Sequence, residues 1–360
     1  MRIKFLVVGL LLAMGIAVAM DQRDGFEAPI ASWLYPGLLE SLTSVTGVRI
    51  ARAGQGVELV YEDGQWVVAQ RFNYPLNQKQ LSRLLNQLGD ARLVEKKTAL
   101  AKHHGRLGLL SGLKDPAPMI TVQRDPALAP VLIGQQASAR QATFVRFQAD
   151  DQVWLIDQAL DVSAAPADWL DPSLLNLTDA MIEQIDIDSP VDSDYRVTRG
   201  DGGNWVLATR PEGRSLRYET ALTPLTTTVG QLQLMDVAEH DPARWAAGAA
   251  TAVYHLTSDD RLVLKTVLAT GEYWLRILIE TDETDETDET DEADETDEAD
   301  ETDEAGGADS ALQPGLDQIL SPSREALNRF DFKIAKRNFD DLNRSLESFL
   351  KPKAAEGIDD

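Results

Sequence analysis

Two aspartates spaced two apart, Asp186 and Asp188 in Ile185-Asp186-Ile187-Asp188, are the pair best placed for acid–base chemistry. Alternate residues of a strand share a side, so both carboxylates would face one substrate. The solvent face of a half-buried strand carries acids for the same reason, and nothing else in the segment favours catalysis. The histidines offer less. His103 and His104 are adjacent and would diverge on a helix, while His240 and His255 stand alone. The chain has no cysteine, which excludes disulfides, thiolate metal sites and a cysteine nucleophile. Neither a G-x-S-x-G elbow nor a phosphate-binding glycine loop is present. Gly54-Gln55-Gly56 and the glycines from Gly200 to Gly203 read as turns. Trp66, Trp154, Trp205 and Trp274 lie in apolar strand contexts and could form a sugar platform or a core. No catalytic, cofactor-binding or metal-binding residue is therefore expected, and no cofactor.

The elements that must position these residues occur twice. Leu34-Tyr35-Pro36-Gly37-Leu38-Leu39 returns as Leu170-Asp171-Pro172-Ser173-Leu174-Leu175, 136 residues later. The stretch from Asp63 through Trp66 to Arg71 returns as Gly202 through Trp205 to Arg210, with the two tryptophans 139 apart. A near-constant offset at two landmarks implies two copies of one unit. The equivalence of Trp66 and Trp205 predicts a core role for each.

Each copy reads as a Pro-containing turn into a short helix (36–43 and 172–178), then strands, then a helix. The first strands are Val48-Arg49-Ile50 and Ile185-Asp186-Ile187. Asp63-Gly64 between alternating runs signals a type I′ hairpin, and Gly202-Gly203 is expected to serve the same geometry. Leu81, Leu84, Leu85 and Leu88 have helical spacing, as do Leu222, Leu225, Val229 and Leu232. Further strands close each copy, at 119–123, 131–133, 143–147 and 153–156, and at 252–256, 262–268 and 273–279. The expected class is α+β, two tandem repeats of hairpin-rich antiparallel sheet packed on helices. Residues 330–334 alternate like an edge strand, and 339–350 resemble a closing helix.

The ends and the charge set the compartment. Arg2 and Lys4 precede an uncharged apolar run from Phe5 to Met20, which Asp21 ends. Sixteen residues span about 24 Å as helix, close to the membrane's hydrocarbon core once Lys4 snorkels. The run reads as an uncleaved membrane anchor, with a cleaved signal peptide at Ala17-Val18-Ala19 as its rival. Either leaves the basic end in the cytoplasm and the body exported. Residues 281–304 are eight Thr-Asp-Glu or Ala-Asp-Glu triplets with 16 acids and no base. Without them the net charge of −25 falls to −9, and a mildly acidic body argues against nucleic acid. The triplets read as a disordered loop inside the second copy. The expected layout is an anchor at 1–24, repeats at 25–165 and 166–280, an acidic linker at 281–310, a completing segment at 311–352 and a tail at 353–360.

Several stretches together resemble the DUF4340 family. They are Leu34-Tyr35-Pro36-Gly37-Leu38, Asp63-Gly64-x-Trp66, Arg106-Leu107-Gly108-Leu109, Leu132-Ile133-Gly134, Phe144-Val145-Arg146, Val153-Trp154-Leu155-Ile156-Asp157 and Trp169-Leu170-Asp171. The likeness runs from about Leu34 to the Ile185 strand and continues more weakly to Leu350. The acidic insertion is outside the family pattern, and Ile334-Ala335-Lys336 replaces a Leu-Pro-containing turn. The resemblance implies an exported domain on an amino-terminal anchor, accompanying ABC-type transport systems similar to the gliding-motility auxiliary type. It carries over no catalytic residue. The expectation is a non-enzymatic protein of the bacterial inner membrane, held through residues 5–20 with its body in the periplasm. It would act as scaffold or sensor, with permease subunits as partners. A binding module for an envelope polymer or glycan is the alternative, and a carboxylate hydrolase built on Asp186 a third reading.

Overall fold

The computed structural model describes residues 32–110, 116–137, 141–189, 193–208, 210–246, 248–280 and 319–352. The expected anchor (1–24), acidic linker (281–310) and tail (353–360) lie outside the described residues. Among the described residues no helix is long and apolar enough to cross a membrane. The protein is α+β, with two antiparallel sheets and several short helices. The described residues form two compact units, those within 1–64 and 78–165, and those within 65–77 and 166–360. Residues 65–77, which the sequence places in the first copy, group with the second unit.

In chain order the first unit contains β1 (Ser32–Trp33), β2 (Gly47–Arg52) and β3 (Gln55–Glu62). β4 (Gln65–Val68) and β5 (Tyr74–Pro75) follow in the segment of the second unit. The first unit resumes with α1 (Gln78–Asp90), β6 (Arg92–Lys96), β7 (Met119–Gln123), β8 (Val131–Gln136), β9 (Thr143–Phe147) and β10 (Val153–Ile156). Its strands lie side by side as β1-β6-β10-β9-β8-β7-β2-β3. α1 buries Leu81, Leu84, Leu85 and Leu88, the face its spacing predicts.

The second unit continues with β11 (Ile182–Asp188), β12 (Tyr195–Arg199), β13 (Trp205–Leu207), α2 (Thr223–Gly230), β14 (Leu234–Glu239), α3 (Pro242–Trp245), β15 (Ala250–Leu256), β16 (Arg261–Ala269) and β17 (Glu272–Glu280). It ends with α4 (Arg324–Arg329), β18 (Phe330–Ile334), α5 (Lys336–Leu342) and α6 (Leu346–Phe349). Its sheet order is β13-β12-β11-β15-β16-β17-β18-β14. Matched in chain order, β3-β2-β7-β8-β9-β10-β6 and β12-β11-β15-β16-β17-β18-β14 have the same arrangement. In each, two strands precede a helix, the strand after the helix takes a far position, and a four-strand meander fills the gap.

The shared apolar positions are buried in both copies. Leu34 and Leu170 are core residues, and so are Leu38 and Leu174. Leu222, Leu225, Val229 and Leu232 are buried as expected. A further equivalence lies at the end of each helix, in Gly89 and Gly230. A Cβ on Gly89 would stand 2.5 Å from the Leu39 side chain, and one on Gly230 would stand 2.1 Å from the Leu177 carbonyl oxygen. Both helices thus rest on the segment that opens their copy, and a missing side chain permits the approach.

Several local expectations need correction. Residues 39–44 form a 3-10 helix, but 172–178 are extended, bridging Ser173 to Gln233 and Leu175 to Leu320. Asp63 and Gly64 have φ of 50° and 84°, as a type I′ turn requires. In the corresponding turn of the second copy Gly203 has positive φ, 75°, but Gly202 does not, and the turn closes from Gly200 N to Asn204 O at 2.8 Å. β18 is not an edge strand: it pairs with β14 and β17, and four of its five residues are buried. The closing helix is split into α5 and α6. Trp205 is buried, but Trp66 is only half-buried, so the two do not share one core role.

Candidate functional site

Asp186 stands mid-strand in β11, where cross-strand neighbours of β12 and β15 reach it. Arg196 Nε donates to its Oδ1 at 2.5 Å, His255 Nε2 lies 2.9 Å from its Oδ2, and Gln184 Nε2 donates to the same oxygen at 2.9 Å. Partial burial pushes its carboxyl upward, but the hydrogen bonds from Arg196, His255 and Gln184 outweigh this and hold it below the usual carboxylate range. A carboxylate so stabilised is a weak proton acceptor, and Asp188 is absent from the cluster. Asp186 and Asp188 keep the less buried side of β11, opposite Ile185 and Ile187, and Asp186 is taken up in a cross-strand ionic group. His104 is buried in a 3-10 helix, with Nε2 3.0 Å from the Asp151 carbonyl, and does not meet His103 over a common ligand.

The densest polar cluster surrounds Asp331, a residue the sequence reading took only as part of a strand. Its side chain is fully buried between the apolar neighbours Phe330 and Phe332. Arg244 donates to Oδ2, as does Trp245 Nε1 at 3.0 Å. Arg276 Nη1 donates to Oδ1 at 3.2 Å, and His240 Nδ1 lies 2.9 Å from the same oxygen. The backbone N–H of Asp241 adds a contact at 3.3 Å. Desolvation opposes ionisation here, yet the bonds from His240, Trp245 and Asp241 keep the carboxyl below its ordinary range. The Arg244 guanidinium also lies 4.0 Å from the centre of the Trp274 ring. Every group donating to Asp331 belongs to the fold around it, tying α3, β17 and the end of β14 to β18. Among the described residues no group of histidines and acids could hold a metal ion.

One open cleft in the second unit is different in kind. It has a volume of about 430 Å³, walled by β13 on one side and the 210–219 segment with Lys351 on the other. Trp205 forms part of its floor, its indole N–H donating to Asp179 Oδ1 at 2.7 Å and Arg199 stacked on its ring at 4.6 Å. Arg210, Arg217 and Lys351 line the cleft with Tyr218 and Glu219. Arg217 Nε is fixed by the Leu350 carbonyl at 2.9 Å. The sequence carried one sign of this place, the Arg210 that repeats Arg71; the Lys351 wall is brought in by the bridge of Leu216 to Leu350.

A profile of the family described as Domain of unknown function (DUF4340) matches residues 66–256. The chain belongs to the DUF4340 family. The match starts at Trp66 and runs to the end of β15, so it spans parts of both copies and stops short of the acidic triplets. No curated protein and no solved structure matches the chain. The DUF4340 region includes Asp186, His255 and Arg210 but not Asp331 or Lys351.

Proposed function

We propose that this DUF4340 chain is a non-enzymatic envelope protein of the bacterial inner membrane. It is anchored through residues 5–20, with its two repeats in the periplasm as scaffold or sensor for an ABC-type transport system. The observation that carries the reading is how the acid–base groups are used. Asp186, His255, His240 and Asp331 all bind partners inside the second unit, so they hold strands and loops together rather than face a substrate. Two sheets of one strand order, joined in one chain, support a role in presenting surfaces. The apolar run Phe5 to Met20 behind Arg2 and Lys4 supports the anchor.

The test is extraction and capture of the full chain from its native membrane. The chain is expected to resist a carbonate wash, to keep its original amino terminus, and to bring down a permease and an ATPase subunit after mild cross-linking. Release by carbonate, or a new amino terminus at Met20, would overturn the anchor. Recovery of cross-linked chain with no transport subunit would overturn the partnership.

A further inference from the structure

The two copies treat one repeated arginine in opposite ways. Arg71 follows Trp66 by five residues, and Arg210 follows Trp205 by five. Arg71 is neutralised: its Nε and Nη2 donate to Asp236 at 2.5 and 3.0 Å. Arg210 is exposed in the cleft, and no described carboxylate pairs with it. Arg217 and Lys351 share the cleft, also without a carboxylate partner among the described residues. Three cations against the single Glu219 leave the site with a net charge of about +2 at neutral pH. Like charges gathered in one concavity repel each other, and a bound anion removes that cost.

The remaining wall groups narrow the class of anion. Tyr218 is 57% exposed, which offers an aromatic face to an apolar ring surface. Glu219 would repel a simple polyanion, but a carboxylate beside cations is a good acceptor for hydroxyls. Asn204 adds a side-chain amide to the same wall. Cations, one acceptor carboxylate, an amide and an aromatic face suit an acidic saccharide better than a polyglutamate or polyaspartate peptide, whose ionised side chains present no hydroxyls. A cleft of about 430 Å³ has the size of a small-ligand site.

We propose that the cleft of β13, the 210–219 segment and Lys351 binds an anionic saccharide. Arg210, Arg217 and Lys351 take its carboxylate or phosphate groups, Tyr218 packs on its ring, and Glu219 and Asn204 take its hydroxyls. This inference does not depend on a transport partner.

The test is calorimetric titration of the full chain with trigalacturonate, glucose 1,6-bisphosphate, neutral maltotriose and a hexaglutamate peptide. Binding of either acidic sugar, with none of maltotriose, is expected, and the better of the two identifies carboxylate or phosphate as the anion. Arg210→Gln should weaken that binding by about tenfold or more, the value of a hydrogen bond to a charged group. Among the described residues the Arg210 side chain has no hydrogen-bond partner, so this variant is expected to keep its melting temperature. Arg337→Gln removes the same charge from a side chain that is 91% exposed and does not line the cleft, and should leave binding unchanged. Equal loss in both variants, or binding of hexaglutamate as tight as that of the sugars, would reduce the effect to bulk charge and overturn the proposal. Failure of both acidic sugars to bind would overturn it as well. Binding that emerges only when residues 281–304 are replaced by a Gly-Ser linker would make the chain's own acidic segment the occupant, and would equally overturn it.

Discussion

The two sheets are laid out alike and differ most at the last turn of the meander. In the first, residues 148–152 join β9 to β10 as a tight turn. The buried Arg146 sits beside it, donating from Nη1 to the carbonyls of Phe147, Gln148 and Asp150 at 3.3, 3.5 and 2.9 Å. In the second, the same connection runs from Glu280 to Phe330 and contains the acidic triplets. Arg276 on β17 takes the corresponding place, and its acceptors are Asp331 Oδ1 and the Asn328 carbonyl at 3.2 and 3.0 Å. A buried guanidinium needs acceptors wherever it stands. A tight turn supplies them from the backbone. Where the turn is opened by an insertion, a buried carboxylate on the next strand supplies them instead.

Removing that carboxylate is the strongest way to break the comparison. Asp331→Ala leaves Arg244 and Arg276 buried without their counter-charge, a change worth about 3–5 kcal/mol. Chemical unfolding followed with a probe in each unit should show the second unit lost at lower denaturant and the first unchanged. A loss below about 1 kcal/mol would mean that the arginines find other acceptors. The contrast has an acid form. Asp331, Asp186 and Asp179 are all held below the usual carboxylate range, so their folded pKa values lie under their unfolded ones. Their contribution is therefore present above about pH 4 and is lost as the pH falls through the folded values. Thermal unfolding of the second unit should weaken in that window, and Asp331→Asn should flatten the dependence.

The tryptophans come next. Trp205→Ala empties a buried site and should cost about 3–5 kcal/mol, while Trp66→Ala, at a half-buried position, should cost clearly less. Equal losses would restore one common core role. The helix glycines give a smaller and sharper contrast. Gly230→Ala drives a methyl into the Leu177 carbonyl and should cost about 1–3 kcal/mol, since backbone yields poorly. Gly89→Ala meets only the Leu39 side chain, which can change rotamer, so its melting temperature should fall less. The smallest effect belongs to the insertion. Replacing residues 281–304 with a short Gly-Ser linker should shift stability by less than about 1 kcal/mol, because loop closure depends only weakly on length. A larger loss in calorimetric melting would mean that the acidic segment supports the sheet.

How much was legible in the sequence follows from the range of each signal. The strands at 119–123, 131–133, 143–147 and 153–156, the Leu81 to Leu88 face and the Asp63-Gly64 turn are written in spacing and turn chemistry over a few residues and were found where expected, whereas β6 and β14 were not anticipated. Gly89 and Gly230 were equally present in the text, but their meaning required knowing what lies 2.5 and 2.1 Å from the missing Cβ. Asp186 could be placed on its strand yet not given its partners, because Arg196 and His255 are set by the pairing of β11 with β12 and β15.

What the sequence determined by itself is therefore the doubled α+β pattern, its apolar faces and its charge. Only the tertiary structure decided which polar residues are spent and which remain open. Asp331 draws its partners from residues 55 to 91 positions away, and Arg71 finds Asp236 across 165. Arg210, with the same local context, lines the cleft and has no carboxylate partner among the described residues. The physical reason is that periodicity and turn preference act along the chain, whereas the neutralisation of a charge depends on what the fold brings beside it.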